Sequence, residues 1–485
     1  MEYINTRNTF SRLASKEEII STLYEIKFNN DNPRFAGIPI YADSQAVYVE
    51  HKDSHSLTLG STGSKKTRLI GKPSLMLYAH AGESFIATDP KAELYERTLP
   101  LLKEKGYNVF VLNLRDFKLS NSWNPFLLPY YLYHNNQRDK AIELINDIAN
   151  CISKESYSKE PYWHNSAADL LTGLILLLCE CACENEINFK SLRALRTQAF
   201  KVNKNDVPFI KEYFLDNLNA SSFICSLLNG TTEVCDSTRG CIVSTFDQAL
   251  RPFFSQDKLI DVLSVNDIDM RKIGIEKTAV FLIIPDENTL YHSLISVFVK
   301  QCYTELIIEA QKYPNKTLPR RVNFLLDEFA SLPTISDFPA MITASRSRNI
   351  RFNLIIQSFN QLYKRYGEEA ETIKGNCENW VFLHSREKSV LEELVYLAGN
   401  KNFEEPLISA SMLQTMSKDE GEALIFYKRN YPFITKLPDI DSYPDNTPPE
   451  KNIYYSVNNH KTETFFDFKN FCSEKNNYFF SQLFS

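Results

Sequence analysis

The chain has 485 residues, 43% hydrophobic and 24% charged, which is enough apolar surface for a sizeable core and rules out disorder of the whole chain. Fifty-four Lys+Arg against 60 Asp+Glu leave a net charge of -6, so no global basic field exists and any nucleic-acid contact must be a local patch or a pore. The ten cysteines form no C-x-x-C pair, which argues against a zinc ribbon; Cys179, Cys181 and Cys183 read as small apolar residues of a buried helix.

In chain order, residues 1–45 read as a helical lead-in. Ser15 followed by Glu18 is a capping-box pattern that opens a helix over Lys16–Ile26. From 46 to 125 strand and helix alternate. Strands are expected at Val47–Glu50, Ser56–Leu59, Ser84–Thr88 and Asn108–Asn113, and helices at Thr67–His80 and Lys91–Lys105. That rhythm indicates a parallel, doubly wound sheet. Residues 126–250 are expected to form an all-helical insertion, with Arg138–Ile152, Asn165–Cys183 and Ser244–Leu250 as its clearest helices. The sheet rhythm returns over 251–436, with strands at Thr278–Ile284, Val322–Asp327, Arg351–Gln357, Trp380–His384 and Ala423–Tyr427 and a helix at Leu290–Tyr313. Residues 437–485 read as a proline-containing linker and an aromatic tail. Its phenylalanines, among them Phe465, Phe466, Phe468, Phe471, Phe479 and Phe480, point to docking on the body or on a partner.

The longest mostly apolar run, Leu170–Cys179, is about half the roughly 20 residues of a spanning helix, and no signal peptide is visible. A cytoplasmic setting, peripheral at most to the inner face of the membrane, is the expectation.

Two segments carry phosphate chemistry. Gly60-Ser61-Thr62-Gly63-Ser64-Lys65-Lys66-Thr67 lies between a predicted strand and a predicted helix, the setting of a P-loop. Its backbone N–H groups and the helix N-terminus attract phosphate oxygens. Lys66 suits the β- and γ-phosphates of ATP, and Thr67 suits Mg²⁺. One position departs from the motif: Lys65 stands where it has glycine. If the backbone there needs a positive φ, a lysine costs about 1–2 kcal/mol. Far downstream, Val322-Asn-Phe-Leu-Leu-Asp-Glu328 is an apolar strand ending in two acids. Asp327 suits Mg²⁺, and Glu328 suits the general base for the attacking water. Thr88-Asp-Pro-Lys91 ends the strand after the loop's helix, Gln357 ends the strand after Val322–Asp327, and Gln357 is a candidate to orient water. Arg346 and Arg348 are candidate arginine fingers.

These segments occur in an order that resembles the type IV secretion coupling proteins, the TraG/TraD-like ATPases of conjugative DNA transfer. The resemblance rests on 60–67, Thr88–Tyr95, Asn113–Asp116 with Ser122–Pro125, Tyr162-Trp163 with Ser166-Ala167, Leu326–Pro333, Arg346–Arg348 and Ile356–Ser358. It covers about 60 to 390. It implies an α/β, RecA-like P-loop NTPase with a parallel central sheet and an inserted all-α domain. It also implies ATP and Mg²⁺ as cofactors, a hexameric ring, and DNA in or near the pore, single-stranded and relaxase-bound. Type IV secretion components or a membrane subunit would be further partners. Two departures are Lys65 and the lack of visible N-terminal transmembrane helices. The competing expectations are a nucleotide-binding scaffold of little or no activity, in a mobile-element or phage-defence complex, and a translocase on duplex DNA.

Overall fold

A computed structural model describes residues 10–30, 32–153, 160–215, 222–285, 287, 289–443 and 460–474. Of these, one compact unit holds those within Met1–Val111, Met270–Glu287 and Cys302–Ile453. The other holds those within Leu112–Asp269, Asn288–Gln301 and Tyr454–Ser485.

The first unit is built on two sheets. Strands β1 (Tyr24–Lys27), β2 (Pro39–Ala42) and β3 (Ala46–Val49) form a small antiparallel sheet in the order β1-β3-β2. The large sheet contains β4 (Ser56–Gly60), β5 (Ser84–Thr88), β6 (Asn108–Asn113), β7 (Thr278–Ile283), β8 (Val322–Leu326), β9 (Ile350–Ile356), β10 (Asn379–His384), β11 (Glu422–Tyr427) and β12 (Phe433–Lys436). Its order is β12-β11-β10-β4-β9-β8-β5-β7-β6. The pairs from β10 through β4, β9, β8 and β5 to β7 are parallel, and β11 and β12 add an antiparallel edge. Strands β4, β5, β7, β8 and β9 are buried along their whole length, as expected of a sheet covered on both faces.

The N-terminal region departs from the expected lead-in. The capping box at Ser15 and Glu18 is present, but the helix it opens ends at Thr22 and β1 and β2 follow. The helix expected at Thr67–His80 begins as a wide π turn, Thr67–Gly71, before the regular helix Lys72–Ala81.

The second unit is helical. Its long helices are Arg138–Ser153, Pro161–Cys181 and Asp236–Phe254, and the apolar middle of Pro161–Cys181 is buried among its neighbours. Its limits differ from the expected 126–250. It begins at Leu112, runs to Asp269, and takes the first half of helix His292–Ala310, whose Phe298 meets Trp123 edge-on at 5.0 Å. Among the described residues, no helix is long and apolar enough to cross a membrane.

Candidate functional site

The register of the large sheet assembles the site. Leu59 of β4 pairs with Ile356 of β9, and Leu326 of β8 with Leu354 of β9. Chain direction therefore brings Gly60, Gln357, Asp327 and Glu328 to one carboxyl edge. Ala87 of β5 pairs with Leu325 of β8, so Asp89 stands across from Asp327. Open parallel sheets hold ligands at this edge, in the crevice outside the carboxyl ends of their strands.

The loop after β4 is held from two sides. Ser61 N–H donates to His384 O (2.8 Å), and Ser61 Oγ lies 2.9 Å from His384 Nδ1. Ser64 N–H donates to Ser61 O (3.1 Å), which closes the turn. A Cβ at Gly60 would meet Ser64 Oγ at 2.3 Å and Lys66 Cγ at 2.8 Å, so glycine is required there. Gly63 has φ +80° and Lys65 φ +63°. The second value settles the conditional raised by the sequence: lysine occupies a left-handed position that glycine would fill without steric cost. The Lys65 side chain leans to Asp419, with Nζ 3.4 Å from Oδ1. Its carbonyl accepts the N–H groups of Arg68 and Leu69, both at 2.9 Å, at the start of the π turn.

Lys66 is buried. Its Nζ donates to Gly60 O (2.6 Å) and Ser61 O (3.4 Å), and it stands 3.9 Å from Glu328 Oε1. The ammonium is thus parked on the loop's own carbonyls. Glu328 has φ +55°, a strained conformation for a non-glycine residue, and its Oε1 accepts from Gln357 Nε2 (2.7 Å). Gln357 Oε1 in turn accepts from Thr62 Oγ1 (3.1 Å). One chain of contacts therefore links the loop tip, the strand-end glutamine, the second acid and the loop lysine.

Asp327 is buried beneath this chain and accepts the N–H of Glu328 (3.0 Å). Burial, with Glu328 and Asp89 close by, pushes its carboxyl up to about 7, against the pull of Lys66. Burial pushes Asp89 up to about 7 as well, although it accepts the N–H of Tyr95 (2.8 Å).

The residues fit a bound nucleotide on two observations. Ser64 Oγ, inside the loop, is buried without a hydrogen-bond partner, as a hydroxyl aimed at a phosphate would be once the ligand is removed. Among the described residues, the hydrogen bonds of Lys66 go to carbonyl oxygens, and the carboxyl groups of Glu328 and Asp327 are near enough to interact with its charge. Thr67, half-buried at the first position of the turn, and Asp327 are the two oxygen donors that could hold Mg²⁺, which needs few protein ligands beside phosphate.

Arg346 and Arg348 are not brought to this edge. They occupy the turn that precedes β9, a seven-residue strand away from Gln357. Arg346 is engaged by Glu378 (2.9 Å) and Asp53 (3.6 Å), and Arg348 bonds its own turn through Ala344 O. Sequence reasoning gave no role to Asp89 or His384. Asp89 had a signal, the acid-proline pair at a strand end, whereas the pairing of His384 with Ser61 depends on the order of strands.

The family model for type IV secretory system conjugative DNA transfer matches residues 7–422. The chain belongs to that family. An uncharacterized protein of Bacillus anthracis is 39% identical over 67 residues, 14% of this chain, and the chain spans a quarter of that relative's length. Among solved structures, the plasmid coupling protein TrwB bound to the ATP analogue ADPNP is similar, with TM-score 0.63 and 16% identity over 94% of this chain and 98% of that one. TrwB with ADP and Mg²⁺ gives TM-score 0.62 at 15% identity, over 94% and 97%. VirB4 of Thermoanaerobacter pseudethanolicus gives 0.50 at 14%, over 84% and 97%. At these identities the likeness shows the fold, that of the α/β nucleotide-binding coupling proteins.

Proposed function

We propose that the chain is an ATP-driven motor of conjugative DNA transfer, coupling hydrolysis to movement of a DNA strand. The observation that supports this most is the convergence, in a member of this family, of Lys66, Asp327, Glu328 and Gln357 at one sheet edge. In this reading Lys66 leaves Gly60 O for phosphate oxygens, and the loop N–H groups cradle them. Thr67 and Asp327, the latter as carboxylate, would hold Mg²⁺, which would supply charge neutralisation to the phosphates. Gln357 releases Glu328, and Glu328 then polarises the attacking water. The cleft of about 320 Å³ bordered by Lys65, Leu69, Lys436 and Pro438 is suited to the nucleoside.

The motor would act as a ring of copies on single-stranded DNA, alongside type IV secretion or membrane components. Arg346 and Arg348 would serve only from a neighbouring copy. The scaffold alternative rests on Lys65 alone, and the loop closes around that residue all the same. ATP turnover with and without single-stranded DNA tests the proposal. DNA-stimulated turnover supports it, and nucleotide binding without turnover under either condition supports the scaffold.

A further inference from the structure

His384, the last residue of β10, pairs with Gly60 of β4, and its carbonyl and ring hold Ser61 of the phosphate loop. A short connection, 385–387, then leads into helix Lys388–Ala398. Ser385 is buried, and its Oγ accepts the N–H of Glu387 (3.0 Å). Glu387 Oε1 accepts the N–H of Asn360 (3.1 Å), just past Gln357, and the hydroxyl of Ser389 (2.6 Å). The connection is thus tied on one flank to the phosphate loop and on the other to the turn that follows β9. Between these anchors stands Arg386. It is exposed, and among the described residues it has no hydrogen bond, ion pair or ring contact.

An exposed arginine is ordinarily only solvated; its place distinguishes this one. Strand β10 is the neighbour of β4, about 5 Å away at sheet spacing. Consecutive Cα atoms are about 3.8 Å apart, so Arg386 Cα lies within about 7.6 Å of that of His384. Lys91, also exposed, follows β5, which stands three strands from β4, about 14 Å away. Arg346 and Arg348 occupy the opposite end of β9 and are engaged there.

We propose that Arg386 is a further catalytic residue: in the chain's own site its guanidinium meets oxygens of the terminal phosphate of ATP and stabilises the charge that gathers there during hydrolysis. The proposal rests on the motor reading. In that step a water oxygen bonds to the terminal phosphorus, and the bond from that phosphorus to the bridging oxygen breaks, its electron pair leaving on ADP. The water's proton passes to Glu328. A guanidinium is always charged, and its planar fork matches two phosphate oxygens. Carried on an anchored backbone, it needs little reorganisation as the charge develops. Both anchors, Ser61 and Asn360, border this chain's own phosphate loop and Gln357, which assigns the arginine to its own site and not to a neighbour's.

Steady-state ATP turnover and ADP titration of wild type, Arg386→Ala, Arg386→Gln and Arg386→Lys test it. The alanine and glutamine variants should lose about a hundredfold or more in kcat, with KM and ADP affinity changed less than about threefold. Arg386→Lys should regain at least about fivefold of that loss, because it returns the charge without the fork. Loss in KM and ADP affinity in place of kcat, or a lysine variant no better than alanine, would overturn the role. Wild-type turnover with Arg386→Ala unaltered would overturn it and leave the motor reading standing. A wild type without turnover would sink the motor reading and this role with it. An equimolar mixture of Arg386→Ala and Glu328→Gln chains should turn over no faster than the average of its parts. Faster turnover would place Arg386 in a neighbour's site and overturn the assignment.

Discussion

Replacing Lys65 by glycine separates two effects that the loop combines. The residue sits at φ +63°, where an L side chain costs about 1–2 kcal/mol relative to a residue without Cβ. Its ion pair with Asp419 is 3.4 Å long and Asp419 is 78% exposed, so that contact is worth at most about 0.5 kcal/mol. The strain is larger than the pair, and Lys65→Gly should stabilise the chain by about 1 kcal/mol. The gain in unfolded-chain entropy that glycine brings trims this further. The loop has the same shape whether or not it binds phosphate in this account. Strain relief therefore enters free and bound states alike, and nucleotide affinity should change by less than about threefold, a little over 0.6 kcal/mol. Turnover should be kept or raised. Thermal unfolding and nucleotide titration on the same preparations check the prediction. A chain that melts lower and binds nucleotide tenfold more weakly would show that Lys65 is a working phosphate ligand and that the strain argument misjudged it.

Lys66→Ala should weaken nucleotide binding at least tenfold in a direct titration, because it removes the buried cation that the loop carbonyls hold in place for phosphate. Glu83→Ala should destabilise the first unit by about 3–5 kcal/mol in a denaturant melt, since it strands Arg351, which is buried and pairs with Glu83 at 2.7 Å. Asp327 is held up near pH 7, so its carboxyl is neutral below that value and charged above it. Mg²⁺-dependent nucleotide affinity should accordingly fall as pH drops from 8 to 6, and Asp327→Asn should flatten that dependence while weakening binding throughout. The linked stability has the opposite sense: the raised carboxyl favours the folded state at low pH, and that contribution is lost as pH rises toward 7.

Much of the large sheet was legible because its strands are apolar runs of five to seven residues with chemistry at their ends. Val322–Leu326 before Asp327 and Ser56–Gly60 leading into the loop are the clearest. Of the small sheet, β3 was legible as the strand expected at Val47–Glu50, and its two partners were hidden for local reasons. Tyr24–Lys27 puts Glu25 and Lys27 outward and follows a helix after one residue, so its pattern merges with the helix, and β2 starts at a proline. The edge strand Phe433–Lys436 is only four residues long. Position along the chain located Lys66, Asp327, Glu328 and Gln357, but strand order decides that Asp89 faces Asp327 and that His384 braces Ser61. The same order leaves Arg346 and Arg348 at the other end of β9. In the tail, the phenylalanines signalled docking, and Phe466 and Phe468 are buried in the helical unit; the segment's backbone is held there by Lys190 and Gln198 among others, polar residues with nothing unusual in sequence.

The central claim, that the strand-end acids drive ATP hydrolysis for DNA movement, is tested most directly by steady-state ATP turnover of wild type and Glu328→Gln, each with and without single-stranded DNA. The account predicts turnover by wild type that rises with DNA, and a Glu328→Gln chain that binds nucleotide as wild type does but turns over at least a hundredfold more slowly, since the near-isosteric amide cannot act as base. Turnover that is unaltered by Glu328→Gln, or that is indifferent to DNA, would contradict it.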